Sequence, residues 1–426
     1  MKIRKTLLLG TFTFALAANS YATNGYFSHG YGAKSKSMAG ACVAMAFGAM
    51  CGATTNPASL AVMGNRLDYG LAWFAPRGGV TAGDEAFFTS QKHYESAHDW
   101  FIIPHLSYNR MLDKNQSFGV FISTHRGINT EYGTPVFSQF SDPALPKTPA
   151  TSTAGLNMNQ VFMGLSYSRK LTERHSFGIT PIFAIQTLDV QGLQPFQPFS
   201  VFPNNVTDHG TDISFGGGLR VGWLGKITDY LTLGASYQTP LWMSPFHDYK
   251  GLLAEEGKFN IPANFNLGLA LRVTPEITLA VDYQRIEYGD INAMSNASDL
   301  VFTPGQTLLG TKNGLGFGWE DMDILKFGVE WKYSPDLTLR AGYSRAGNNA
   351  FPETQSLFNY LLPGIVKTHY SIGLGTPLSK QVEFNIAFTY AADEKMDDYR
   401  DTAISQTGTT LEQEQFEIVF SWGIAF

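Results

Sequence analysis

Charge is scarce in this sequence, and its scarcity excludes several classes of protein. Asp, Glu, Lys and Arg make up only 15% of the 426 residues, whereas about a quarter is usual in soluble domains. The net charge of −6 provides no basic excess, which argues against nucleic acid as a partner. The apolar content of 44% is too high for a disordered chain. No zinc-protease motif, phosphate-binding loop or Cys-x-x-Cys pair is present, so we expect no enzyme activity, metal site or cofactor.

Long apolar runs are also lacking, apart from one at the N-terminus. Lys2, Arg4 and Lys5 precede a short apolar stretch at 7–18, and Ala22 ends a segment of small residues suited to cleavage. This order predicts a secretory signal peptide over residues 1–22. The alternative is a retained anchor, for which the stretch is short. Cleavage would leave 27 basic and 36 acidic residues, a formal charge of −9.

Cysteine is nearly absent, since Cys42 and Cys51 are the only two in the chain. An exported protein reaches an oxidising compartment, where such a pair can form a disulfide. The alternative is two buried thiols that pack as small apolar groups. The sequence alone leaves both interpretations open.

The sequence is rich in alternation between apolar residues and polar or small ones. A period of two is typical of β-strands. Fourteen segments show it, near 66–75, 99–111, 117–126, 156–171, 175–188, 212–226, 229–240, 262–274, 276–288, 322–334, 336–346, 367–377, 380–391 and 413–426. The connections alternate between short turns and loops of roughly 20 to 35 residues. This pattern predicts an all-β fold, an antiparallel transmembrane barrel of about fourteen strands in an outer membrane.

Several short motifs follow one another along most of the chain. They are the segment 23–32, Asn56-Pro57-Ala58, the segments 261–265, 316–321 and 339–343, and the terminal Phe426. In this order they resemble the FadL/TodX-type outer-membrane transporters of long-chain fatty acids and hydrocarbons. The resemblance implies a lumen plugged by an N-terminal hatch of short helical segments. We therefore expect the hatch at residues 23–65 and the barrel at 66–426.

The resemblance also implies a route for the transported molecule. Hydrophobic molecules would be captured between extracellular loops, bind inside the barrel above the hatch, and leave sideways at a kink in the third strand. That strand is predicted at 117–126 and is followed by Gly127. We expect a monomer in the outer membrane of a Gram-negative bacterium. Its partners would be hydrophobic small molecules, outer-membrane lipids and, through Phe426, the barrel-assembly machinery.

Two long loops contain large apolar residues that would be costly to leave in water. They predict a ligand-binding groove built from Phe196, Phe199, Phe202, Leu241, Trp242 and Phe246. The alternative is a small loop core that binds no ligand.

Cations on the lumenal faces of strands are candidates for binding a fatty-acid carboxylate. Lys326, Arg340 and Arg220 have this position, and Lys326 and Arg340 lie on neighbouring strands, so we expect them to share one carboxylate. Ion pairs that fix the barrel wall are the alternative role. For Asn56, Pro57 and Ala58 the simpler interpretation is mechanical, because proline fixes the backbone beside an asparagine that can bind local amides.

The favoured function is passive uptake of hydrophobic molecules, with long-chain fatty acids as the first substrate class. Neutral aromatic or aliphatic hydrocarbons are the main alternative, since they require only an apolar pocket. A general porin would require an open polar pore, and a barrel lipase would require a serine and a histidine that face each other. A role of the loops as a surface receptor is a further alternative.

Overall fold

Fourteen long strands form one antiparallel sheet in the computed structural model, which describes residues 24–81, 93–97, 100–137, 150–298, 308–355, 358–397 and 410–426. Each strand pairs with the next one along the chain, and the last pairs with the first from Arg66↔Ala425 to Thr81↔Thr410. The sheet is therefore a closed barrel, and the predicted fold is confirmed. The predicted signal peptide, residues 1–22, lies outside the described residues.

The strands are numbered here in chain order. They are β1 (Arg66–Thr81), β2 (Phe101–Met111), β3 (Gln116–Glu131), β4 (Gly155–Lys170), β5 (His175–Gln191), β6 (Asp212–Lys226), β7 (Leu231–Gln238), β8 (Asn264–Arg272), β9 (Ile277–Ile286), β10 (Met322–Ser334), β11 (Leu337–Ala346), β12 (Thr368–Pro377), β13 (Val382–Asp397) and β14 (Thr410–Ala425). Two short strands, His93–Glu95 and Trp242–Met243, pair with the ends of β1 and β6.

Helices are few and short. They are α1 (Gly32–Lys36), α2 (Ala49–Thr54), α3 (Ala254–Gly257) and α4 (Asn292–Ser295), with 3-10 turns at Pro57–Val62, Gln194–Phe199, Pro203–Asn205, Tyr288–Asp290, Glu353–Gln355 and Phe358–Tyr360. Among the described helices, none has the length and apolar character needed to cross a membrane.

The two faces of the strands differ as the period of two predicts. On β1, Tyr69, Leu71 and Trp73 point outward and each exposes 38% of its surface, whereas Ala72 and Phe74 on the opposite face are buried. Outward apolar side chains recur on the other strands. A continuous apolar outer surface of this kind belongs in lipid, and the closed sheet leaves no unpaired edge there.

Three strands run further towards the long loops than the alternation predicts. β1 continues to Thr81, β3 to Glu131 and β13 to Asp397. Polar pairs such as Lys395–Glu412, at 2.8 Å, support the extension of β13 against β14. Beyond the membrane both faces of a strand meet water, so pairing continues there without apolar alternation.

Candidate functional site

The segment 24–65 lies inside the barrel, and we call it the hatch. It contains α1, α2 and the 3-10 turn Pro57–Val62, and nearly all its residues are buried. It contacts lumen-facing side chains around the wall. Lys36 Nζ lies 2.6 Å from Glu417 on β14, and the backbone N–H groups of Cys42 and Val43 donate to Asp282 on β9. The hatch therefore fills the lumen at this level.

Asn56-Pro57-Ala58 connects the hatch to three adjacent strands. The Asn56 amide donates to the carbonyl oxygens of Val43, at 2.8 Å, and of Trp223 on β6, at 2.9 Å. The Pro57 carbonyl accepts from Ser168 on β4, at 2.6 Å, and the Ala58 carbonyl accepts from Ser176 on β5, at 2.9 Å. These hydrogen bonds attach the motif to the wall, as the mechanical interpretation requires.

Glycines on the inner wall give the hatch room. A β-carbon at Gly222 on β6 would lie 2.1 Å from Asn56 Oδ1, and one at Gly178 on β5 would lie 2.4 Å from the Pro57 carbonyl carbon. The same close approach recurs where the hatch meets other strands, at Gly234, Gly268, Gly328, Gly342 and Gly373. Backbone or side-chain atoms of the hatch pack directly on the backbone of the wall at these points.

Cys42 and Cys51 are joined by a disulfide in the structure. The bond joins Cys42, whose N–H donates to Asp282 on β9, to Cys51 in α2 and closes the loop between them. It therefore cross-links the hatch to itself, and the hydrogen bonds and ion pairs described above attach it to the wall.

The three predicted cations have different surroundings. Arg340 is buried and pairs with Glu330 at 2.7 Å. Lys326 donates to the His29 carbonyl at 3.0 Å. The register pairs Glu330 with Arg340 but Lys326 with Ser344, four residues further along β11, which separates the two cations by about 13 Å along the strands. In this structure the two cations have separate partners, Glu330 for Arg340 and the His29 carbonyl for Lys326, and a shared carboxylate stays a prediction.

Arg220 and Lys326 instead line a common polar cavity, together with Phe27 and His29 of the hatch. Its volume is about 30 Å³, and Asn264, Asn266 and Gln284 also line it. Arg220 donates to the Ala53 carbonyl at 2.9 Å and to the Gln238 side chain. Both acceptors are neutral, and no carboxylate in the described part of the chain lies within ion-pair distance of Arg220. A buried guanidinium without a counter-ion favours an anion nearby.

The six predicted groove residues do not form one surface. Phe196, Phe199, Leu241 and Phe246 are buried in one apolar cluster, and the Phe196 ring lies 5.0 Å from the Phe358 ring. Phe202 is half-buried, and Lys250 Nζ lies 4.6 Å from its ring centre. Trp242 is 58% exposed and pairs with Gly217 on the outer face of β6. The structure therefore places Trp242 outside this cluster, because its short strand extends the outer face of the sheet.

An apolar chamber lies above the hatch, beneath the long loops. Two small cavities of about 20 and 10 Å³ share the residues Leu156, Val190, Leu252, Leu253 and Phe317. Their remaining lining residues are Met158, Leu188, Leu193, Phe259, Ala293, Leu309, Leu315, Gly316, Phe358, Leu361 and Leu362. None of these side chains is charged or polar. A cavity that holds benzene measures about 150 Å³, so the chamber is closed in this structure.

An aromatic cluster forms the floor of the chamber, and the sequence analysis missed it as a unit. The Tyr288 ring lies 4.9 Å from the Trp319 ring and 5.3 Å from the Tyr26 ring, and Tyr26 reaches Phe259 at 6.3 Å. The Tyr288 hydroxyl donates to the Asn24 carbonyl at 2.7 Å. Burial raises the pKa of Tyr26 and of Tyr288 well above the usual value of 10, so both phenols stay neutral.

The barrel wall is interrupted between β2 and β3. Their pairing ends at His105↔Ser123, although β2 continues along β1 to Phe101 and β3 continues along β4 to Glu131. Above the interruption, Ser96 bridges to Tyr132. Within the described residues no β2–β3 pairing lies between these two points. We call this opening the window, and it spans roughly 30 Å of chain from Ser123 to Tyr132.

A β-bulge on β3 lies beside the window. The register on β4 shifts between His125↔Gln160 and Ile128↔Met158, which leaves one extra residue on β3. A β-carbon at Gly127 would lie 1.3 Å from the Met158 carbonyl oxygen, so only glycine fits. The predicted strand stopped at 126 because glycine interrupts the alternation, whereas the real strand bends there and continues.

These features define a plugged β-barrel of the outer membrane, with an apolar interior above the plug. The chain belongs to the family described as outer membrane protein transport protein (OMPP1/FadL/TodX), which its sequence matches over residues 14–424. It is therefore an outer-membrane protein of a family of transport channels, as the motifs predicted.

Solved structures share the fold at low sequence identity. The Pseudomonas putida toluene transporter TodX is 21% identical, with a TM-score of 0.69 over 95% of this chain and 100% of its own. A Pseudomonas aeruginosa FadL homologue is 14% identical, with a TM-score of 0.67 over 94% and 98%. The Ralstonia pickettii toluene transporter TbuX is 16% identical, with a TM-score of 0.64 over 93% and 99%. A search of curated protein sequences found no significant match.

Proposed function

We propose that this protein is a passive channel for small neutral hydrophobic molecules, with aromatic hydrocarbons as the favoured class. The apolar chamber is the observation that carries the proposal, because its described lining offers no charged or hydrogen-bonding side chain. A neutral hydrocarbon needs only apolar surface, whereas a carboxylate left there without a partner would be strongly disfavoured. TodX and TbuX, which share the fold, are described as toluene transporters.

An apolar path supports exit through the wall. Phe101 and Ile103 on β2 and Phe121 and Ile128 on β3 are buried at the edges of the window. They belong to one continuous apolar cluster with the chamber residue Leu156. A hydrocarbon moving along this cluster stays in apolar surroundings until it reaches the lipid outside. Partition from water into lipid supplies the driving force, so the step needs no coupled energy source.

The hatch supports the same direction of exit. Lys36–Glu417, Asp282 and Asn56 connect it to strands at several points of the wall. Passage straight through the lumen would require these buried polar contacts to break, each at a cost of about 1–3 kcal/mol. The window requires none of them to break. We therefore propose that the hatch stays in place during transport.

Fatty acids are the second candidate, and the polar cavity is the observation in their favour. Arg220 and Lys326 both line it, and Arg220 has only neutral partners among the described residues. A fatty-acid carboxylate there would supply the missing counter-ion, while its chain would extend towards the chamber. In this proposal the predicted ligand cations are Arg220 and Lys326, and Arg340 has a structural role.

Uptake of labelled toluene and labelled oleate by cells with and without the protein tests the proposal. We expect the protein to raise the initial rate of toluene uptake. Equal rates with and without the protein, for both compounds, would refute transport of either class.

A substitution at Arg220 separates the two substrate classes. Arg220→Gln removes the charge that a carboxylate would bind, and Arg272→Gln, at an exposed arginine of the same barrel, serves as the matched control. We expect toluene uptake to be unchanged in both variants. A selective loss of oleate uptake in Arg220→Gln would show that fatty acids are a substrate and that the polar cavity holds their carboxylate.

A further inference from the structure

The long loop between β7 and β8 contains a segment, residues 249–257, that we call the strap. Leu252 and Leu253 at its centre are buried and line both cavities of the chamber, opposite Leu156 and Val190. The cavities beside them are far smaller than a hydrocarbon requires. The two leucines therefore occupy space that a ligand in the chamber would need.

The strap has an unusual backbone directly after these leucines. Glu255 has φ 53° and ψ 41°, and Glu256 has φ 58° and ψ 45°. Both are left-handed conformations, which residues with a β-carbon disfavour. Two in succession are rare, and such strain persists only where neighbouring contacts enforce it.

Hydrogen bonds to the two flanking loops enforce the conformation. The N–H of Glu256 donates to the Gly310 carbonyl at 2.9 Å, and the N–H of Gly251 donates to the Asn205 carbonyl at 2.9 Å. The Asn292 amide donates to the Glu255 carboxylate at 3.0 Å. These bonds lie in loops, where water can replace them when the strap moves. The two leucines thus sit on a strained segment held by replaceable contacts.

We infer that the strap is the outer gate of the chamber and that Leu252 and Leu253 are its gating side chains. The inference rests on the proposed function, which makes the chamber a ligand site. When the strap moves outward, Glu255 and Glu256 leave the left-handed region, and the released strain offsets part of the cost of uncovering the leucines. An entering hydrocarbon then takes over the apolar contacts that the leucines made.

Hydrogen exchange measures the strain directly in the purified full-length protein. Glu255→Gly with Glu256→Gly removes both the carboxylates and the left-handed penalty, whereas Glu255→Ala with Glu256→Ala removes the carboxylates only. We expect the amides of Gly251 and residue 256 to exchange at least about tenfold more slowly in the glycine variant than in the alanine variant. Equal rates in the two variants would overturn the inference.

The rate of uptake of labelled toluene tests whether Leu252 and Leu253 restrict entry to the chamber. Leu252→Ala with Leu253→Ala removes the gating side chains, and Leu156→Ala with Leu188→Ala removes the same volume from the chamber wall formed by strands β4 and β5. We expect the first variant to take up toluene faster than the second and faster than the wild type. Equal uptake by the two variants would contradict a gate on the strap. If exchange responds as expected while the wild type takes up no toluene, the strained strap opens as inferred and the proposed substrate is wrong.

Discussion

The Asn56 side chain makes three hydrogen bonds, one to the barrel wall and two within the hatch, and its replacement by alanine tests how this part of the hatch is held. Its amide donates to the carbonyls of Val43 and Trp223, and its Oδ1 accepts from the N–H of Ala58. The side chain is buried, with 1% of the residue exposed. Asn56→Ala leaves all three partners without this contact in a place that water does not reach freely.

The magnitude follows from these three groups. A buried donor or acceptor left without a partner costs about 1–3 kcal/mol, and carbonyls with a second bond lie at the low end of that range. The sum is about 3 kcal/mol, which corresponds to roughly a 100-fold increase in the population of a hatch that is locally open around Asn56 and Val43. The barrel strands retain their own pairing, so the lost free energy destabilises only the attachment of the hatch around Asn56.

Hydrogen exchange of the Cys42 and Val43 amides, which donate to Asp282, is the assay. We expect exchange roughly 100-fold faster in Asn56→Ala, with strand amides unaffected. Asn65→Ala, which removes a single half-buried bond to the Met111 N–H, is the control and should change these rates little.

The wall glycine opposite Asn56 completes the test. Gly222→Ala alone would place a β-carbon 2.1 Å from Asn56 Oδ1 and should loosen the hatch. In the Asn56→Ala background the contact with Oδ1 is absent and the 2.9 Å approach to Pro57 Cδ remains, so the combined effect should be below the sum of the two single effects. Additive effects of the two substitutions would refute this account of how Asn56 holds the hatch. Exchange at Cys42 and Val43 that stays within threefold (~0.7 kcal/mol) of the wild type would refute it as well.

Three further predictions concern the barrel wall, the hatch and the loops. Arg340→Met should lower the free energy of unfolding by about 3 kcal/mol because it leaves Glu330 buried and unpaired, and adding Glu330→Met should restore most of it in urea titrations. Replacing Cys42 and Cys51 by serine should cost the hatch about 2.5 kcal/mol, seen as faster exchange between them while toluene uptake persists; lost uptake would show that transport needs the bond. Trp242→Ala should leave toluene uptake unchanged, because this side chain lies on the outer face of the sheet. A clear decrease in uptake would instead show that Trp242 belongs to a ligand-binding groove.

The strands could be predicted well because lipid and lumen impose opposite demands on alternate residues. All fourteen appear in the structure, and β6 and β10 have the predicted bounds, 212–226 and 322–334. The predicted strand bounds are wrong where the strands no longer separate lipid from lumen or where a bulge interrupts the alternation. β1 and β13 continue into water with polar side chains, and β3 passes through a bulge at Gly127 that interrupts the alternation.

The site was less accessible to sequence reasoning because it depends on register and on loops. Lys326 and Arg340 do lie on neighbouring strands, but only the register shows that they are four residues out of step. Tyr26, Tyr288 and Trp319 come from three distant parts of the chain, and only the fold brings their rings together. Tyr26 and Trp319 both lie within motifs noted in the sequence, and this was the only sequence feature that pointed to the aromatic cluster.

The roles of the wall glycines follow the same logic. Gly222 and Gly178 stand at lumenal positions of ordinary strands, and their abundance in the sequence says little about any one of them. Their purpose becomes visible only when the backbone of Pro57 lies against them. A row of small residues on the inner face of a barrel indicates a packed plug, but the plug must be placed before the row can be interpreted.

The central claim is that hydrophobic molecules leave through the window, and uptake of labelled toluene by a bulge-deletion variant tests it most directly. Deletion of Gly127 removes the extra residue of β3 beside the window. Deletion of Asp393 removes the extra residue of a comparable bulge on β13, away from the window, and is the matched control. We expect uptake to fall to the level of cells without the protein in the first variant and to persist in the second. Wild-type uptake by a folded Gly127 deletion variant would contradict exit through the window.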